Sequence, residues 1–180
     1  LGTVALAAGQ LDDARREFDR AAELAPRNGD YLYRGAQVRL ASGDREGAIA
    51  RLKQAVDVAP SNPGACNALA FLLAETGGDL DRALELATRA ARVAPGPVTR
   101  DTLGWVHLKR GEANTAAQIF ERAIESFGES PSRLYHLGLA LGQQGETAQA
   151  IATLRKALED DGFAESAAAN AEITRLEKLL

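Results

Sequence analysis

The stretch Asp101-Thr102-Leu103-Gly104-Trp105, followed by Gly111, Ala116, Phe120 and Ala123, decides how this chain folds. Leu69-Ala70 stand 34 residues before Leu103-Gly104, and Leu137-Gly138 stand 34 after. Glycines at 9, 43, 77, 111 and 145 keep the same interval. A second series runs Leu1, Gly35, Leu69, Leu103, Leu137, each followed by a small residue: Gly2, Ala36, Ala70, Gly104, Gly138. After each glycine come Ala14, Ala48, Ala83, Ala116 and Ala150, then Ala21, Ala55, Ala90, Ala123 and Ala157. Phe18, Leu52, Ala87, Phe120 and Leu154 lie between them. Pro26, Pro60 and Pro95 close the first three units, and Gly128 and Gly162 take that place afterwards. A fixed period of this length marks stacked supersecondary units, none of which can bury its apolar face alone.

Each unit reads as two amphipathic helices. Small residues let the two helices approach, and large ones fill the space between neighbours. The spacing predicts helices over 11–24, 30–42, 45–58, 63–76, 80–93, 97–110, 113–126, 131–144 and 147–160. Glycine ends each first helix because it takes the left-handed cap conformation at no steric cost. Asp44 and Asp79 suit N-caps of second helices, and Pro63, Pro97 and Pro131 suit first turns. In the third unit Gly77-Gly78 adds a turn residue and Pro95-Gly96-Pro97 removes one, so its second helix runs one residue late and later units stay in phase. Gly35 and Ala87 stand where a larger residue is expected, which predicts loose local packing.

The motif of leucine-glycine, then alanine, a large apolar residue and alanine, then proline, matched five times in phase, resembles the tetratricopeptide repeat (TPR) family over essentially the whole chain. The resemblance implies an all-α, right-handed solenoid of antiparallel helix pairs. Five repeats are expected over 1–162, the first truncated at its N-terminus, with a C-terminal capping helix over 163–180. The segment up to Ala7 reads as the tail of a first helix. The chain opens at Leu1 without methionine, so the array is expected to extend further upstream in its parent. In the last segment Ile173, Leu176 and Leu180 share a helical face, as a helix covering the array's end requires.

Composition agrees. Hydrophobic residues make up 46% and aromatics only 5% of 180 residues, an alanine-rich balance that favours close helix packing. Twenty-one basic residues against 25 acidic ones leave a net charge of −4, well mixed along the chain. The electrostatic footprint of nucleic-acid binding and a polybasic membrane anchor are both missing from the sequence. The longest apolar run, Ala68 to Ala74, is too short to span a bilayer. Cys66 is the sole cysteine, so no internal disulfide forms. The sequence leaves the compartment open between cytoplasm and periplasm.

No catalytic constellation, metal site or cofactor site is expected. His107 and His136 are 29 residues apart on different units, without an acidic or cysteine partner at ligand spacing. Cys66 reads as a buried, inert thiol. Asp12-Asp13 and Asp160-Asp161 read as solvated helix ends, and the glycines as turn residues.

The family resemblance implies that first helices line a concave inner surface that receives peptides or partner segments. Residues four apart share a helix face. Applied to each first helix, that rule collects Tyr33, Gln37, Asn67, Phe71, Asp101, Trp105, Tyr135 and Leu139 as the candidate partner-binding stripe. Ala41, Glu75, Lys109 and Gln143 follow one turn on. The stripe holds the only tryptophan and two of three tyrosines, residue types enriched among interface anchors. Asn67 suits a partner's backbone and Asp101 a basic side chain. Trp105→Ala is expected to weaken binding without unfolding the array. Chaperone-binding members of the family clamp a C-terminal carboxylate with lysine, asparagine and arginine; this face lacks that set, so tight binding of acidic tails is not expected.

The sequence thus points to a non-catalytic scaffold for a protein or peptide partner. Two alternatives remain: a targeting or substrate-recruiting arm of a larger enzyme, and a self-assembling array stacking through Leu1, Val4 and Leu6 at its N-terminal end. Units three to five also resemble bacterial arrays associated with exopolysaccharide export.

Overall fold

The computed structural model describes residues 10–180 and is helical throughout, with no strand among the described residues. Ten helices follow one another among the described residues: α1 Leu11–Leu24, α2 Gly29–Ala41, α3 Arg45–Val58, α4 Pro63–Glu75, α5 Leu80–Val93, α6 Pro97–Lys109, α7 Ala113–Phe127, α8 Pro131–Gln144, α9 Thr147–Ala157 and α10 Ser166–Glu177. Their bounds follow the expected ones within three residues, and α5 runs one residue late as the Gly77-Gly78 insertion requires. None is long and apolar enough to cross a membrane. The residues proposed for self-stacking and the truncated first helix lie outside the described part.

Local chemistry sets the ends. Gly43, Gly77, Gly111 and Gly145 hold φ between 65° and 85°, where only glycine is unstrained. Asp44 and Asp79 accept from the backbone N–H groups of Gly47 and Arg82 at 2.9 Å. The first helices are capped as well: Asn28, Asn62 and Ser130 accept from Asp30, Ala65 and Arg133. Proline opens α4, α6 and α8, where its missing N–H costs nothing.

Consecutive helices pack antiparallel, and each first helix also touches the next: α2 on α4, α4 on α6, α6 on α8, α8 on α10. Second helices make no comparable contact with one another among the described residues. The stack is therefore a solenoid that closes on the side of the first helices, and those helices form its inner wall. The small-residue series permits the close approach: a Cβ on Gly138 would lie 2.6 Å from Leu154 Cγ. Helix α10 covers α9 and the edge of α8 with Ala169, Ile173 and Leu176 buried; Leu180 lies beyond the helix and is exposed, so it does not share that face.

Two expectations of loose packing are corrected. Ala87 keeps the helix position of Leu52 and Phe120, but Leu86 beside it is fully buried and supplies the large side chain of the third unit. The space beside Gly35 is filled by Arg39, whose Nη1 donates to the Gly35 carbonyl at 3.1 Å and whose Nη2 grips both oxygens of Asp19 at 2.8 and 3.0 Å. The apolar core accordingly runs unbroken from Ala22 to Leu176, while Ala14, Phe18 and Val38 form a separate cluster beyond this ion pair.

Candidate functional site: the inner wall

The eight stripe residues all lie on α2, α4, α6 and α8, and they fall into distinct settings. Tyr33 and Gln37 form a pair one turn apart, with Gln37 Nε2 donating to the Tyr33 hydroxyl at 3.0 Å. The Tyr33 ring lies over Gly64 so closely that a Cβ there would meet it at 2.8 Å. Asn67 is half-buried, and its Oδ1 is buried without a hydrogen-bond partner. An unpaired buried acceptor costs about 1–3 kcal/mol. Phe71 is 38% exposed, unusual for a phenylalanine in the middle of a helix. Leu139 is half-buried against the core.

Asp101, Trp105 and Tyr135 are brought together by His136, which the sequence reading had left without an acidic partner. His136 Nδ1 lies 3.1 Å from both carboxylate oxygens of Asp101. Only a proton on Nδ1 makes that contact a hydrogen bond. The imidazole stacks on Trp105 at 4.5 Å between centroids and touches Phe120 and Tyr135 at 5.5 and 5.7 Å. Tyr135 in turn meets Phe163 edge-on at 5.7 Å. The other histidine also has a carboxylate partner, with His107 Nδ1 2.5 Å from Glu112 Oε2 at the α6–α7 turn. The two pairs tie α6 to α8 and the end of α6 to the start of α7. No group of three metal-binding side chains occurs among the described residues.

Trp105 is only 8% exposed. Its indole N–H donates to Glu75 Oε1 at 2.8 Å. Lys109 Nζ lies 4.6 Å from the centre of the indole and 3.4 Å from the same Glu75 oxygen. Glu75 and Lys109 were visible one turn beyond the stripe but were not joined to it, because their meeting depends on how α4 and α6 are offset. Tyr135 is half-buried; burial pushes its phenol up, and the carboxylates of Glu165, Glu172 and Glu75 add to the shift. Cys66 is buried with its thiol donating to the Pro60 carbonyl at 3.3 Å, and burial pushes its pKa up.

Family models described as tetratricopeptide repeat match residues 39–99 and, separately, residues 1–38 together with 102–171. No curated protein matches the sequence. Among solved structures, MamA superposes with a TM-score of 0.73 at 22% identity over 88% of this chain and 87% of its own. TTC0263, a thermophilic TPR protein of Thermus thermophilus, aligns over 100% of this chain and 96% of its own at 25% identity and a TM-score of 0.69. YrrB, described as a TPR protein with an unusual peptide-binding site, gives a TM-score of 0.75 at 17% identity over 94% of this chain and 88% of its own.

Proposed function

Because the chain belongs to the tetratricopeptide repeat family, we propose that it is a non-catalytic protein-interaction scaffold that binds an extended peptide or partner segment along its inner wall. One observation carries this reading: Phe71 presents a large apolar surface to solvent from the middle of a first helix, at 38% exposure, in line with the half-buried Asn67 one turn before it. A phenyl ring in that position gains free energy only when something covers it. Tyr33, Asn67 and Asp101 flank it on the inner wall and supply polar groups that orient a bound backbone. YrrB, which shares the fold, is described as having an unusual peptide-binding site, and this supports peptide binding as a use of the fold.

The test uses peptides selected from a random displayed library on the wild-type protein. Phe71→Ala is expected to weaken them by about 1 kcal/mol or more. The thermal midpoint should hardly move, since the ring is exposed. Equal affinity for wild type and variant removes the inner wall as the binding surface.

A further inference from the structure

We propose that the corner formed by Glu75, Trp105 and Lys109 is a cation subsite of the inner wall, built for a lysine or arginine side chain of the bound segment and occupied by Lys109 while the wall is empty. The inference rests on the inner-wall reading above and adds the chemistry of the partner.

An aromatic face beside a carboxylate is how proteins hold an ammonium or guanidinium group. The corner already holds one. Lys109 Nζ sits 4.6 Å from the indole centre and 3.4 Å from Glu75 Oε1. Lys109 is held loosely, with its side chain 37% exposed, and an exposed ion pair of that kind is weak. Glu75 is held firmly, because the Trp105 N–H donates to the same oxygen at 2.8 Å. When the lysine swings away, the carboxylate and the indole face stay where they are. The site is preformed, and its present occupant is replaceable.

Charge complementarity selects the replacement. Carboxylates reach the Tyr135 phenol from three elements, Glu75 on α4, Glu165 in the α9–α10 connection and Glu172 on α10, and each raises its pKa. Glu172 is paired with Arg175 and Glu75 with Lys109, so once Lys109 is displaced Glu75 and Glu165 are the carboxylates left to favour a cation at this end of the wall. Glu75 lies one helical turn beyond Phe71 on α4, on the same face. A single segment can lay an apolar residue on Phe71 and a basic one in the corner.

The experiment uses peptides selected on wild-type protein from a random displayed library, followed by titration with the emission of Trp105, the sole tryptophan, as readout. Selected peptides are expected to carry Lys or Arg near an apolar residue. Replacing that basic residue with glutamine, or making Glu75→Gln, should weaken binding about tenfold. The glutamine carbonyl still accepts the Trp105 N–H, which guards the fold. Lys109→Met removes the competitor and should tighten binding about threefold or more. Weaker binding by Lys109→Met, or unchanged affinity in both variants, overturns the proposal. So do selected peptides that lack basic residues yet lose affinity with Phe71→Ala; the inner-wall reading then stands alone. Selected peptides indifferent to Phe71→Ala overturn both.

Discussion

Gly104 lies against Phe120 so closely that a Cβ on the glycine would stand 2.6 Å from the ring's Cε1. This contact sets how near α6 and α7 can come. Gly104→Ala must therefore push the fully buried Phe120 out of place, and overpacking of this kind costs about 1–3 kcal/mol. The neighbouring position of an earlier repeat should respond with the opposite sign. A Cβ on Gly35 would meet only Arg39 Nη1 at 3.5 Å and Phe18 Cβ at 3.7 Å, which are ordinary contacts. Gly35→Ala should stabilise by about 0.5–1 kcal/mol, the helix-interior difference between the two residues. Urea denaturation of both variants checks the pair of signs.

These two glycines show what the sequence disclosed and what it withheld. The 34-residue recurrence of Gly104 and its equivalents located the helices and their turns, because the same packing problem is solved at each repeat. It also placed Asp44 and Asp79 as caps. Recurrence is silent wherever one repeat departs from its neighbours. Arg39 fills the space beside Gly35 by reaching Asp19, 20 residues away on another helix. Asp101 meets His136 at a separation of 35 residues, one more than the period, which only the lateral offset of α6 and α8 determines. The burial of Trp105 follows from His136 and Lys109 closing on it from two directions. The stripe was legible as a set of positions; its pairings were not.

The Asp19–Arg39 tie should give the protein an acid-sensitive contribution. Burial alone would raise the Asp19 carboxyl, but hydrogen bonds and charge from Arg39 and Arg51 outweigh it and hold the group below its ordinary value. A depressed carboxyl contributes stability above its unfolded pKa, about 3.9. That contribution is lost as pH falls through the lower folded value. Asp19→Asn should cost about 2 kcal/mol near neutral pH, since the buried Arg39 loses its close carboxylate and keeps only Asp44, 3.8 Å from its Nε. Chemical denaturation across a pH series should show wild type and variant converging on the acid side of about pH 4, a window set by that unfolded value. A constant gap down to the lowest pH would contradict the assignment.

Cys66 should be silent to thiol reagents in the folded protein. Its side chain is fully buried in α4 and its thiol is pushed up by burial, so neither access nor thiolate is available at neutral pH. An Ellman titration should find no reaction without denaturant and one thiol with it. Because the site opens only when the repeats separate, the reaction rate in low urea measures local opening of the α4–α5 hairpin.

Trp105 tests the division between wall and core. Its ring stacks on His136 at 4.5 Å and its N–H holds Glu75 at 2.8 Å, so it joins α4, α6 and α8. Trp105→Ala removes nearly all of a buried indole and should cost about 3–5 kcal/mol. Loss of binding in that variant would then report unfolding as much as lost contact. Trp105→Phe keeps an aromatic face toward His136 but gives up the N–H to Glu75, about 1 kcal/mol for one hydrogen bond, and part of the buried ring volume, about 1 kcal/mol more. The phenylalanine variant should stay folded by circular dichroism with a modestly lower midpoint, while the alanine variant should melt far earlier. If both melt with wild type, the indole contributes nothing to the stack, and the wall would be more open at this point than 8% exposure implies.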